Sequence, residues 1–98
     1  MNTAIIIDND SQMHRLIASI LKDIDCEVVG TGETGTDTLR LYRKHMPNLV
    51  LLDINTPQVN GMKTLKVLLE EYPNAHVVML TELADTTVLL QTLFFSFK

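Results

Sequence analysis

Two aspartates and a threonine stand where chemistry is possible. Asp8 closes the apolar run "AIII", Asp53 closes "NLVLL", and Thr81 closes "HVVML". Asn9 follows the first acid directly, and Glu82 follows the threonine. If the three runs lie side by side, their polar ends share one edge. Carboxylates gathered there repel each other unless a cation sits between them. Oxygen-only donors with room for water suit Mg2+, which also accepts phosphoryl oxygens. A carboxylate beside that ion can act as a nucleophile toward a phosphodonor, and a nearby hydroxyl can hydrogen-bond a phosphoryl oxygen. The residues alone describe an acidic phosphoacceptor edge, with a plain metal-binding or structural edge as the open alternative.

Elements able to bring those ends together alternate along the chain. Short apolar runs at 4–8, 26–30, 48–53 and 75–81 read as strands. Over 11–24, Met13, Leu16, Ile17, Ile20, Leu21 and Ile24 recur at helical spacing, with Ser11 as the expected N-cap. Gly32 and Gly35 mark a loop before a weaker helix over about 36–46, where Leu39, Tyr42 and Met46 share a face. A loop holding Pro57 and Gly61 precedes a third helix striped by Met62, Leu65, Leu68, Leu69 and Tyr72. Alternation of this kind gives an α/β fold, an open parallel sheet with helices on both faces and right-handed crossovers. Ligands of such sheets bind outside the carboxyl ends of the strands, where the strand order reverses. With the first strand beside the third, Asp8 and Asp53 converge at that point.

Bulk composition excludes several function classes. Ninety-eight residues form one domain, and 46% hydrophobic content with 20% charged residues is that of an ordinary soluble protein. A net charge of -4, with eight basic residues in no dense patch, argues against direct nucleic-acid binding. The single cysteine, Cys26, allows no internal disulfide and fits a reducing compartment. "MNTAIIIDND" has no basic n-region, and no apolar run approaches a membrane span, so the cytoplasm is expected and no membrane partner. His14, His45 and His76 lack ligand spacing, and His14 is expected as a solvated helix position.

The segments "AIIIDND", "NLVLLDINTPQVNG" and "HVVMLT" resemble the first, third and fourth strand motifs of response-regulator receiver domains, the two-component signalling modules of flavodoxin-like fold. The similarity runs from about residue 3 to 85. It implies that Asp53 accepts a phosphoryl group from a sensor histidine kinase, with Mg2+ organised by Asp8 and Asp53 and by the backbone carbonyl of Asn55. Thr81 would be the switch hydroxyl that contacts the phosphate, and Pro57 and Gly61 would shape the intervening loop. The downstream output would be transcriptional, as the wording is closer to receivers of DNA-binding regulators than to those of chemotaxis. Beyond self-phosphorylation from small phosphodonors and autodephosphorylation, no enzymatic activity is expected.

The sequence also departs from that family. Asn9 stands where most members have a second acid, which lowers the charge offered to the metal; Asp10 compensates only if its loop bends inward. Glu82 stands where a small residue is usual, close to the phosphoryl position. The family continues through a fourth helix, a fifth strand ending in lysine and a fifth helix, whereas only 17 residues follow Thr81. A single receiver-like domain over 1–98 is therefore expected to lack the last strand and helix, with 86–98 an atypical tail. The open fourth-strand edge would then favour homodimerisation. Two rivals follow. The chain could be a phosphorylation-deficient dimerisation or interaction module. Alternatively "GTGETG", a G-x-G-x-x-G through Gly30, Gly32 and Gly35, could belong to a dinucleotide-binding fragment, with Asp53, 18 residues on, as ribose ligand.

Overall fold

The computed structural model describes residues 2–53, 61–80 and 96–97. Strand β1 (Asn2–Ile7) leads to helix α1 (Ser11–Asp23), followed by β2 (Cys26–Gly32) and α2 (Gly35–His45). Then come β3 (Leu49–Asp53), α3 (Gly61–Glu71), β4 (Val77–Leu80) and β5 (Ser96–Phe97). The sheet order is β2-β1-β3-β4-β5, with the first four strands parallel. This is the expected flavodoxin-like arrangement, with β1 beside β3 and the strand order reversing between them.

Continuous apolar runs form β1 and β3 because both faces of those strands are covered. Ile5, Ile7, Val50, Leu52, Val77 and Met79 face a core with Leu41 and Tyr42 of α2 and Leu65 and Leu68 of α3. Ala4, Ile6 and Leu51 face the opposite side and pack with Ile17, Leu21 and Cys26. Cys26 is a buried core thiol, and burial first, then the Asp25 carboxylate, push its pKa upward. Arg43 and Glu71 tie α2 to α3 through a two-pronged ion pair at 2.9–3.1 Å, and the Tyr42 and Tyr72 rings meet tilted at 44° with centroids 4.5 Å apart.

Helix boundaries follow local chemistry. Asp10, not Ser11, caps α1, accepting from the Gln12 N–H at 2.9 Å. Both residues can cap, but only the first has extended backbone, as an N-cap requires. A capping box opens α2: the Thr34 hydroxyl accepts from the Asp37 N–H, and the Asp37 carboxylate accepts from the Thr34 N–H. Thr34→Ala is expected to cost about 1 kcal/mol. Urea denaturation checks it, and an unchanged midpoint would show the cap to be redundant.

Several sequence expectations are corrected here. Leu16, Ile20 and Ile24 of the α1 stripe are 57%, 55% and 66% exposed, because the sheet covers only the arc of Ile17 and Leu21. Met46 and Met62 are exposed too; Met46 ends α2 in the left-handed conformation. The β4 edge is not open along its length, since β5 pairs antiparallel with Val77 and Val78. This β5 is a two-residue antiparallel strand, and the parallel part of the sheet keeps the four expected strands.

Candidate functional site

Asp8 and Asp53 meet at the carboxyl edge. Ile7 and Leu52 are register partners, and each acid lies one residue further on. The Asp8 N–H still pairs with the Gly32 carbonyl at 3.0 Å, so the chain remains strand-like there. Neighbouring strands run about 4.8 Å apart. By strand alternation, Ala4, Ile6 and Asp8 share a face, as do Leu51 and Asp53, so both acids extend the rows packed on α1. Each is only 1% exposed. Asp53 also pairs in register with Leu80, the last described residue of β4.

The turn after β1 is held by its own side chains. One Asp8 carboxylate oxygen accepts from the Asp10 N–H at 2.9 Å. His14 donates its Nε2 proton to the Asp8 carbonyl, which places the proton on that nitrogen. This corrects the solvated-position expectation: His14 is half-buried and tied to the turn that carries Asp8. Asp10 does not swing inward to replace the acid absent at Asn9, because its carboxylate is committed to capping α1. Asn9 itself is exposed beside Asp8. Gly61 is buried as the first residue of α3. Asn55, Pro57, Thr81 and Glu82 lie outside the described residues.

The donor set fits a hard cation. Two buried carboxylates side by side are oxygen ligands whose mutual repulsion a divalent ion removes. Among the described residues, no three His, Cys, Asp or Glu side chains gather around one point. The described protein ligands are thus few, and the remaining positions suit water and a phosphoryl oxygen, which is how Mg2+ differs from a caged ion.

The glycine motif does other work. Gly30 and Gly32 lie inside β2, and no glycine has positive φ. A Cβ on Gly32 would stand 2.6 Å from the Asp37 Cβ and 3.2 Å from Ile7 and Leu41, so this glycine lets α2 approach the sheet. The α2 N-terminus is occupied by its own acid: Asp37 accepts from the N–H groups of Glu33 and Thr34 at 2.9 and 3.2 Å. The Glu33 bond above all, helped by Arg40 and Thr34, holds the Asp37 carboxyl below the usual carboxylate range against the cost of its desolvation. A pyrophosphate would meet a carboxylate where the dinucleotide reading needs bare N–H groups. That reading is excluded on this geometry.

A parallel sheet of order 2-1-3-4 with two buried acids at its switch point defines a flavodoxin-like receiver fold. The response regulator receiver domain family model matches residues 4–95, and the chain belongs to that family. It is 35% identical over 75 residues to the chemotaxis protein CheY of Listeria monocytogenes, covering 76% of this chain and 63% of that protein. It is likewise 35% identical over 78 residues to the transcriptional regulatory protein DegU of Brevibacillus brevis, covering 79% of this chain but 33% of DegU. The BeF3-activated N-terminal receiver domain of Klebsiella pneumoniae RstA superposes with a TM-score of 0.76 at 28% identity, covering 95% of this chain and 78% of that one. The chain thus spans under two thirds of the length of these full-length relatives, and what it matches is the receiver portion.

Proposed function

We propose that Asp53 is the phosphoacceptor of a two-component receiver, taking a phosphoryl group from a sensor histidine kinase in the presence of Mg2+. One observation carries this reading: two carboxylates, each 1% exposed, lie side by side at the ends of adjacent parallel strands. Burial of two like charges is costly without a cation to compensate. Asp8 and Asp53 hold the ion, with Asn9 and the Asn55 carbonyl as further donors. The ion supplies charge neutralisation for the incoming phosphoryl group. Asp53 is the nucleophile, and the Asp8 carboxylate is fixed by the Asp10 N–H, so the acid edge is set before a donor arrives. Thr81 contacts the phosphoryl oxygens, Glu82 flanks them, and Pro57 and Gly61 shape the loop between β3 and α3.

Residues 1–98 act as one receiver unit, with the tail over 86–98 as its atypical part. The likeness to DegU supports a transcriptional output exerted by a partner or further domain. No helix of the described residues is long and apolar enough to cross a membrane, in keeping with a cytoplasmic role. Incubation with Mg2+ and acetyl phosphate, followed by intact-mass spectrometry, is expected to show one added phosphoryl group. A folded sample that gains none under these conditions would support the phosphorylation-deficient interaction module instead.

A further inference from the structure

Asp8 is held at both of its backbone polar groups and at one carboxylate oxygen. Its N–H donates to the Gly32 carbonyl at 3.0 Å, and its Oδ1 accepts from the Asp10 N–H at 2.9 Å. Its carbonyl accepts from His14 Nε2. The second carboxylate oxygen has no donor among the described residues. His14 is built to reach back to this turn. Its own N–H donates to the Asp10 carbonyl at 3.1 Å, which fixes it on the first turn of α1. Helical side chains lean toward the N-terminus of their helix, so the imidazole spans the Asp8–Asn9–Asp10 turn from the helix side.

We infer that His14 is a positioning residue of the phosphoacceptor edge: its Nε2–H holds the Asp8 backbone so that the second carboxylate oxygen stays aimed at the Mg2+ position. The inference rests on the reading that Asp8 and Asp53 hold the ion. Neither neighbouring element needs the bond for its own sake. Asp10 already caps α1, and the Gly32 carbonyl already continues the β1 ladder to Asp8. His14 is half-buried, so water can take its place at the Asp8 carbonyl with little cost to folding. Water does not replace the restraint on direction, because a mobile molecule leaves the turn free to rotate. Direction matters because, before the ion binds, repulsion from Asp53 pushes the Asp8 carboxylate away from the shared edge. A backbone tethered on both sides of its Cα resists that push. Groups that orient a metal ligand typically carry about 10–100-fold in metal affinity. His14 acts through the backbone of the ligand residue, so the lower end of that range applies.

NMR titration of the full chain with Mg2+ alone, following the Asp10 amide, tests the inference. His14→Leu keeps the bulk and removes the donor. His14→Asn carries a donor too close to the helix to reach the Asp8 carbonyl, whereas His14→Gln ends in an amide nitrogen nearly as far from the backbone as Nε2. The Leu and Asn variants are expected to bind Mg2+ about ten-fold more weakly than the parent, and the Gln variant within about two-fold of it. All three should keep the parent's urea midpoint in EDTA; a midpoint that falls in step with affinity would reduce His14 to a structural role. Asp8→Asn is the control for the site itself. If that variant binds Mg2+ as well as the parent does, or the parent binds none, the metal reading fails and the positioning role with it. If Asp8→Asn weakens binding but His14→Leu does not, or if His14→Gln fails to restore it, the positioning role alone is overturned.

Discussion

Gly32→Ala is expected to destabilise the protein by about 1–3 kcal/mol, although the same exchange at an unhindered glycine commonly stabilises by about 0.4–1 kcal/mol. The reason is space. Gly32 has no positive φ, so its backbone suits alanine, and the usual entropic gain is available in full. A Cβ there, however, would sit 2.6 Å from the Cβ of Asp37, an atom next to the backbone that cannot rotate away. Ile7 and Leu41 press at 3.2 Å, so relief in their direction opens the core between β1 and α2. Moving Asp37 outward instead breaks the capping box, since this carboxylate satisfies the Glu33 and Thr34 N–H groups. A loss of that size is a large share of the about 5–15 kcal/mol that holds a typical domain folded.

Gly30→Ala is the internal control. Its Cβ would meet Leu41 Cδ2 at 3.0 Å, the far end of a flexible side chain, and His45 at 3.5 Å. A near-neutral effect is expected. Urea denaturation of both variants checks the contrast, and equal midpoints would show that the close approach of α2 at Gly32 has slack.

Much of this arrangement was legible from residue types. The runs "AIII" and "NLVLL" have no polar face, so they had to be covered on both sides, and that alone dictates a parallel sheet with helices above and below. Once β1 lies beside β3, the register of a parallel ladder makes the convergence of Asp8 and Asp53 automatic. What stayed hidden depends on limits that periodicity does not encode. Six apolar positions on α1 suggested one buried stripe, but a single sheet contact covers only the Ile17 and Leu21 arc and leaves Leu16, Ile20 and Ile24 outside. Asp10 and Ser11 are equally able to cap, and backbone conformation decided between them. "GTGETG" suggested a phosphate loop because glycine marks both close ligand approach and close helix approach. Only the position of Asp37 separates the two. The hydrogen bond from His14 to the Asp8 carbonyl depends on a side chain reaching back across the first turn of α1, which no stripe or motif announces.

The two buried acids should respond to amidation in different ways, and the difference assigns their roles. Asp53→Asn is expected to abolish phosphoryl addition from acetyl phosphate altogether, because an amide oxygen is no nucleophile toward phosphorus at neutral pH. Asp8→Asn retains the nucleophile and the shape. Its amide oxygen can still accept from the Asp10 N–H, as the Asp8 carboxylate does at 2.9 Å. What changes is charge. Two unit charges about 5 Å apart repel by about 3 kcal/mol at an effective dielectric constant of 20. Removing one should therefore raise the urea midpoint of the metal-free protein, by up to about 3 kcal/mol in stability. The same change takes one unit of negative charge from the ion, so Mg2+ should bind about ten-fold or more weakly. The added stability that Mg2+ confers by binding the folded state shrinks accordingly. Asp8→Asn should thus be more stable than the parent in EDTA, gain less from Mg2+, and take up phosphoryl groups slowly except at high Mg2+. Lower stability in EDTA with an undiminished Mg2+ response would mean that Asp8 only supports the turn after β1, and the metal would have to be held by Asp53 and the loop that follows it.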